Sequence, residues 1–298
     1  MAFYRPNVTA VLLVLIFLVI IVTGGVLYVQ LRTDDVSSRL VTGEIVRTLV
    51  VAHENNQPFL SFVLFYHPET ERAAVLDIPG NLGGVIRSLG RVDRVDAVFD
   101  RQTPELFRAE VERFIGVSIP FTLVMSDEQL IDFINLLGGV DLFIINDYRE
   151  MDGNDPILLP TGNVRLDGEK AVQYVRYQDE VETELEQIGK RQAFVQALLR
   201  SIRRNVRFLS DPDVVELRSR FIETDLDVRA QTTLFTAIGN IDPERVVGRR
   251  VQGTTRAVEV EGTVRQLLFP HFEGQWLKQA VQQVQQTLAS AEEVVAEQ

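Results

Sequence analysis

The feature that most limits the fold is an uncharged apolar segment near the N-terminus of the 298-residue chain. No charged residue occurs between Pro6 and Leu31, and most of this stretch is apolar. A bilayer core about 30 Å thick is crossed by about 20 helical residues, so residues 8–31 are predicted to form one transmembrane helix. The apolar run is longer than the roughly 7–15 residues of a secretory signal peptide, and Gly24-Gly25 is followed by further apolar residues. We therefore predict an uncleaved signal anchor.

The charges that flank this segment predict its orientation. Arg5 and the α-amino group precede the helix, whereas Arg32 follows it together with Asp34 and Asp35. Positive groups favour the cytoplasmic side, so residues 1–7 are predicted to be a short cytoplasmic tail. The rest of the chain is then a periplasmic or extracellular part of a single-pass cell-membrane protein. The opposite orientation, with a cytoplasmic domain, is the alternative.

The composition is that of a folded, acidic protein. Apolar residues make up 46% and charged residues 24% of the chain, which argues against extended disorder. The formal net charge of −12 argues against non-specific nucleic-acid binding, because that function needs clustered Lys and Arg. The chain has no cysteine, so disulfides, thiolate metal sites and cysteine nucleophiles are excluded.

The part after the anchor alternates between strand and helix signals. Residues 32–43 are small and polar and are predicted to be a linker, and residues 44–272 are predicted to be one α/β domain because no long Pro/Gly/Ser stretch divides them. β-Branched and aromatic runs predict strands, and apolar residues spaced by three or four predict helices. The predicted strands lie at about 44–52, 59–66, 73–78, 121–125 and 140–145, and the predicted helices at about 103–114, 127–137 and 184–207.

The C-terminal residues 273–298 contain a stripe of apolar residues among glutamines. This spacing predicts an amphipathic helix. Packing of this helix against its own domain is favoured over a surface for a partner.

Generic motifs leave the function open. The glycine-rich segment at 80–84 lacks the spacing and the lysine of a phosphate loop. The histidines have no metal-type spacing and are predicted to be surface or turn residues: His53, His67 and His271. Three aspartates alternate with arginines and are predicted to form a solvated face: Asp93, Asp96 and Asp100.

Three stretches resemble the LytR-CpsA-Psr family of cell-envelope proteins. Val75–Asn81 (VLDIPGN) follows a strand and a turn, as the family's S-I-P-R-D stretch does. Val111–Ile144 resembles the family's helix, strand, and helix that ends in G-G-V. The segment Leu158–Glu180, continued by Gln187–Leu199, is similar to L-x-x-G-x-x-x-L-x-G-x-x-A-L-x-Y-x-R-x-R followed by R-I-x-R-Q. Together they fall within residues 44–225.

The resemblance implies a central mixed sheet flanked by helices. It also implies a phosphotransferase that moves a glycopolymer from a polyprenyl-pyrophosphate carrier to an envelope acceptor outside the cytoplasm. In such a site arginines bind the pyrophosphate, acidic residues hold Mg²⁺, and an apolar groove holds the polyprenyl tail. On this chain we expect segments 111–137 and 188–202 to contribute to that groove. Phosphoryl transfer depends mostly on charge neutralisation and positioning.

The chain departs from the family pattern where this chemistry would lie. Gly80 and Asn81 replace the arginine and aspartate of S-I-P-R-D, and Gln178 replaces the second arginine of Y-x-R-x-R. The later aspartate and arginine positions correspond to Glu184 and Gln187. An amide offers Mg²⁺ an oxygen without charge, and glutamine does not reproduce the bidentate contact of arginine with phosphate. We therefore expect a degenerate catalytic site.

Three cations remain as candidates for phosphate binding: Arg176, Lys190 and Arg191. No catalytic residue and no metal ligand is assigned, and no cofactor is expected, because the family's magnesium ligands are replaced here. Arg176 has a second interpretation, a structural ion pair with Glu169 or Asp179.

Two functions stay open. The favoured one is a membrane-anchored, pseudoenzyme-like module of cell-wall biogenesis that binds a polyprenyl-phosphate-linked glycopolymer or an envelope protein partner. The alternative is an active phosphotransferase that works with a rearranged set of charges. Transcriptional regulation is a weaker third hypothesis, because the domain is acidic and predicted to lie outside the cytoplasm.

Overall fold

The computed structural model describes residues 35–145, 148–152, 155–176, 184–251 and 253–270, with Gln282, Gln285 and Gln286. The predicted anchor at 8–31 and the predicted tail at 1–7 lie outside the described residues, as does most of the predicted C-terminal helix. Within the described part of the chain, no helix has both the length and the apolar character needed to cross a membrane.

The described residues form seven α-helices, separated by strands and short turns. In chain order the helices are α1 Asp35–Val41, α2 Pro104–Ile115, α3 Asp127–Leu136, α4 Gly168–Arg176, α5 Glu184–Leu209, α6 Pro212–Ser219 and α7 Val228–Asn240. Two short 3₁₀ turns occur at Val95–Val98 and Pro243–Arg245.

Thirteen strands are described. They are β1 Val46–Glu54, β2 Gln57–His67, β3 Arg72–Asp77, β4 Gly83–Ile86, β5 Arg91–Arg94, β6 Phe121–Ser126, β7 Val140–Ile144, β8 Tyr148–Asp152, β9 Asp155–Leu159, β10 Gly162–Leu166, β11 Val247–Arg250, β12 Gly253–Val260 and β13 Thr263–Pro270.

Five of these strands form one mixed sheet in the order β11-β3-β2-β1-β6. The pairs β1–β2 and β2–β3 are antiparallel hairpins, whereas β6 and β11 join the two edges in parallel. The other strands pair as β4–β5, β7–β10, β8–β9 and β12–β13. The prediction of an α/β fold with a central mixed sheet is therefore confirmed.

Alternating side chains of the sheet fill two separate cores. On β1, Val50 and Ala52 belong to one core, and Leu49 and Val51 belong to the other. Helices α3, α4, α5 and α7 cover the first face, and α2 with the β4–β5 hairpin covers the second. This period of two explains why both faces of the sheet are buried.

Local signals set the ends of helix α3. The side chain of Ser126 accepts a hydrogen bond from the backbone of Gln129, whose own side chain accepts one from the backbone of Ser126. This reciprocal capping box starts the helix where β6 ends. After the helix, Gly138 and Gly139 adopt positive φ values of 73° and 92°, which other residues adopt only with strain.

The segment predicted as a linker contains helix α1. Its residue Val36 is fully buried and belongs to the first core. The single buried side chain in a short polar sequence gave no periodic signal, so the expectation of an unstructured linker over all of residues 32–43 is wrong.

Two of the histidines predicted to be surface or turn residues are buried. His53 is 2% exposed and lies 5.3 Å from the ring of Phe99, measured between ring centroids. Neither of its ring nitrogens has a hydrogen-bond partner among the described residues, and burial lowers its pKa. His67 is also buried, at the end of β2, whereas His271 lies outside the described residues.

Candidate functional site

A cavity of about 620 Å³ lies at the edge of the central sheet where β1 and β3 end and β2 begins. Its floor comes from β2 and from the turn after β3. One wall comes from the end of α4 and the start of α5, and the opposite wall from β5 and the β12–β13 hairpin. The lining residues are Pro58, Phe59, Leu60, Ser61, Ile78, Pro79, Gly80, Asn81, Arg94, Asp96, Val175, Arg176, Gln187, Lys190, Arg191, Thr255, Arg265 and Gln266.

The charge of this lining is strongly positive. It includes five cations and one carboxylate, Asp96, in a chain whose net charge is −12. The cations are Arg94, Arg176, Lys190, Arg191 and Arg265. We call this space the basic cavity. Clustered cations with low-dielectric walls attract and hold anions.

Most residues that the sequence analysis singled out line this one cavity. The three candidate cations are there, together with Gly80, Asn81 and Gln187. Gln178 lies outside the described residues, and Glu184 begins helix α5 with a side chain that is not described. The sequence analysis did not single out Arg94 and Arg265 as ligand-binding candidates, so the losses at Gly80 and Gln178 do not leave the cavity without positive charge.

Arg191 is tied to the sheet by a buried ion pair. Its Nε and Nη2 donate to the two carboxylate oxygens of Asp77 at 2.8 and 2.7 Å. The Asp77 side chain is 3% exposed and that of Arg191 is 16% exposed. This fork-to-fork geometry is the strongest form of the arginine–carboxylate contact. Arg191 therefore joins α5 to β3 as well as facing the cavity.

Arg176 occupies the rim of the cavity in a different environment. It forms an ion pair with Glu54, and its Nη1 lies 3.9 Å from Asp127. Its guanidinium also lies over the ring of Phe59, 5.7 Å from the centroid. The alternative of a structural ion pair is therefore supported, although Glu54 and Asp127 rather than Glu169 are the partners found; Asp179 lies outside the described residues.

The pair Arg94–Asp96 corrects the prediction of a solvated acidic face. Asp96 is 6% exposed, and its Oδ1 accepts from Arg94 Nε at 2.8 Å while its Oδ2 accepts from Arg94 Nη2. Burial raises the pKa of Asp96, and the hydrogen bonds from Arg94 and the charge of Arg265 partly offset this effect. Asp93 is buried as well and pairs with Arg91. Opposite charges two residues apart on a strand lie on one face, which is the signal that the sequence analysis missed.

Gly80 and Asp96 fit against each other so closely that a side chain at position 80 has no room. A Cβ atom added to Gly80 would lie 2.4 Å from Oδ2 of Asp96 and 3.5 Å from Nη2 of Arg94. The backbone amide of Asp96 also donates to the carbonyl oxygen of Gly80 at 3.3 Å. An arginine at position 80, as in the family pattern, is therefore incompatible with this position of Asp96.

The β12–β13 hairpin is fixed to the floor of the cavity by main-chain contacts. The amide of Leu268 donates to the carbonyl oxygen of Asn81 at 2.9 Å, and Leu82 forms a parallel bridge with Leu268. These contacts hold Thr255, Arg265 and Gln266 opposite helix α5.

The donor set of the basic cavity does not fit Mg²⁺. Asp96 is the one carboxylate among the described lining residues, and both of its oxygens bond to Arg94. Asn81 adds an uncharged oxygen, whereas Mg²⁺ prefers carboxylates in near-octahedral geometry. Among the described residues no cluster of three or more His, Cys, Asp or Glu could hold a metal ion.

The segments expected to contribute to an apolar groove mostly fill the cores. Val111, Phe133, Phe194 and Leu198 are buried among other apolar side chains. Lys190 and Arg191 are the described residues of these two segments that line the basic cavity. The apolar part of the cavity lining comes instead from residues 58–60 of β2 and from Val175 of α4.

Sequence comparison assigns a family to most of the described fold. The model of the LytR_cpsA_psr family matches residues 63–281. No curated protein sequence matches the chain.

Solved structures share the same fold. The crystal structure of TagV from B. subtilis has a TM-score of 0.71 at 16% identity, covering 83% of this chain and 98% of TagV. The crystal structure of TagU from B. subtilis has a TM-score of 0.60 at 15% identity, covering 82% of this chain and 96% of TagU. A structure of TagT bound to LI-WTA has a TM-score of 0.64 at 16% identity, covering 82% of this chain and 91% of TagT.

Proposed function

Because the chain belongs to the LytR-CpsA-Psr family, we propose that it acts in cell-envelope assembly by binding a polyprenyl-phosphate-linked glycopolymer. The phosphates of this ligand occupy the basic cavity. The observation that carries the proposal is the gathering of five cations around one space in an acidic chain. The fold shared with TagT, which was solved bound to LI-WTA, supports the same site.

The five cations play different parts in this proposal. Arg191, Arg176 and Arg94 each have a carboxylate partner within the protein, so their charges are partly neutralised before a ligand arrives. Arg265 makes no hydrogen bond or ion pair among the described residues, and Lys190 lies with its Nζ 5.3 Å from the ring centroid of Tyr174. Lys190 and Arg265 stand on opposite walls of the cavity, so a pyrophosphate between them receives positive charge from both sides.

Charge removal tests this function. Lys190→Gln and Arg265→Gln are each expected to weaken binding of a short-chain prenyl pyrophosphate sugar about tenfold or more, because each removes one charged hydrogen-bond donor from a phosphate. Isothermal titration calorimetry on the folded domain measures the change. The control is Arg256→Gln, which removes the same charge from the β12–β13 hairpin at a position outside the cavity. Equal affinities of the three variants and the wild type would refute the proposal.

Binding in this proposal does not need a metal ion. We expect the affinity to persist in a chelator and magnesium binding to be weak or absent, and we expect little transfer of the glycopolymer. Magnesium-dependent transfer by the unmodified protein would instead establish the alternative, an active phosphotransferase with rearranged charges.

The proposal also places the domain at the membrane surface, outside the cytoplasm. The apolar run at residues 8–31 and the flanking charges motivate this location. A reporter that is active only outside the cytoplasm, fused after Gln298, is expected to be active. Activity only from a cytoplasmic reporter would reverse the orientation and remove the envelope ligand from reach.

A further inference from the structure

The single carboxylate of the basic cavity is out of place in a site for anions alone. Asp96 lines the cavity beside Asn81 and near Arg265. A carboxylate repels a phosphate, and placing it in such a site costs binding energy unless it does something for the ligand. An ionised carboxylate can only accept hydrogen bonds. The ligand group that suits this position is therefore a hydrogen-bond donor.

The geometry leaves Asp96 able to accept further hydrogen bonds. Arg94 holds the carboxylate in a bidentate contact that uses one donor for each oxygen. A carboxylate offers about four lone-pair sites, so two remain. The close contact of Gly80 with Oδ2 fixes the carboxylate on its other side. The group is thus pre-organised, since neither the pair nor the turn at Pro79–Leu82 has to move when a ligand binds.

The surrounding lining matches a hydroxyl-rich group. Thr255 and Gln266 on the hairpin and Asn81 on the floor lie around the same part of the cavity as Asp96. Each of these side chains both donates and accepts hydrogen bonds. The opposite wall carries Lys190 and Arg191. The cavity therefore has a cationic side suited to phosphate and a mixed polar side suited to sugar hydroxyls.

We infer that Asp96 is a specificity-determining residue that admits pyrophosphates bearing a hydroxyl-rich sugar and rejects pyrophosphates without one. This inference rests on the proposed function and deepens it, because it names which part of the ligand the hairpin wall recognises. The sugar hydroxyls donate to Asp96 and offset the repulsion that the carboxylate exerts on the phosphates. A ligand of the same charge without hydroxyls meets only the repulsion.

Two pyrophosphate diesters of equal charge test the inference. They share one short prenyl chain, and one ends in a sugar while the other ends in a methyl group. The wild type is expected to bind the sugar diester at least about tenfold more tightly than the methyl diester. Asp96→Asn is expected to lose most of this preference and to bind the methyl diester more tightly than the wild type does. Calorimetry in metal-free buffer gives both affinities.

The matched control is Asp93→Asn. Asp93 is also a buried carboxylate paired with an arginine on β5, but it does not line the cavity, so this variant is expected to keep the wild-type preference. If Asp96→Asn does not fold, Gly80→Ala serves instead, because its Cβ displaces the same carboxylate, and the preference is again expected to fall. A wild type that binds both diesters equally, or an Asp96→Asn protein that keeps the preference, overturns the inference alone. Absence of binding of either diester to the wild type overturns the proposed function as well.

Discussion

Replacing Asp77 with alanine is expected to lower the free energy of unfolding by about 3 kcal/mol. The substitution removes the buried carboxylate that accepts both hydrogen bonds from Arg191. The guanidinium, which is 16% exposed, would then keep its charge at the sheet–helix junction without that partner. Removing one member of a buried pair costs far more than the pair itself contributes, because the other charge stays desolvated. Chemical denaturation monitored by circular dichroism measures the change.

The control for this prediction is Asp141→Ala. Asp141 pairs with Arg204 at 2.5 Å, but both side chains are nearly half exposed, and such pairs contribute about 0–1 kcal/mol. A loss for Asp77→Ala no larger than that for Asp141→Ala would show that Arg191 is not held by the pair. Arg191 would then be available to a ligand in the way that the sequence analysis expected.

Arg218 is the second position where a single substitution is expected to have a large effect. Its side chain is fully buried, donates to the carbonyl oxygen of Leu209 at 2.8 Å and to Oγ1 of Thr232 at 3.0 Å, and stacks on Phe235 with 4.6 Å to the ring centroid. Burial lowers its pKa to about 10, so it stays protonated near neutral pH. Arg218→Ala leaves a cavity and an unpaired carbonyl group. We expect a loss of about 3 kcal/mol in the free energy of unfolding.

Two further variants separate the causes of this loss. Arg218→Met fills the space without charge, and we expect it to be clearly more stable than Arg218→Ala, since an apolar group of similar volume replaces a buried cation at little cost. Arg220→Ala, at an exposed position paired with Glu216, should change stability by less than about 0.5 kcal/mol. Equal effects of Arg218→Ala and Arg220→Ala in denaturant titrations would contradict the importance of burial.

The regular elements of the fold could be predicted from the sequence because their signals are local. The strand expected at 59–66 is β2 at Gln57–His67, and the helix expected at 103–114 is α2 at Pro104–Ile115. In both cases the apolar period and a turn or proline set the limits. Short hairpins such as β4–β5 escaped prediction, because Gly83–Ile86 has only four residues and too few positions for a pattern.

The site was predictable only in part. The resemblance placed Gly80, Arg176 and Arg191 at one site, and the structure brings all three to the basic cavity. The partners of these residues could not be read from the sequence, because Glu54 lies far along the chain from Arg176 and meets it only when α4 packs beside β1. Counting charges at family positions alone therefore overestimated the loss of charge.

The position of β11 has a consequence for how the chain reaches its folded state. Val247–Arg250 pairs in parallel with β3 at the edge of the central sheet, although all elements from β4 to α7 separate the two strands in sequence. During synthesis from the N-terminus, β3 stays an open strand edge until nearly the whole described domain has emerged. Open edges pair with other chains, and pairing of distant strands is slow. Folding is therefore the stage at which this domain is most exposed to aggregation.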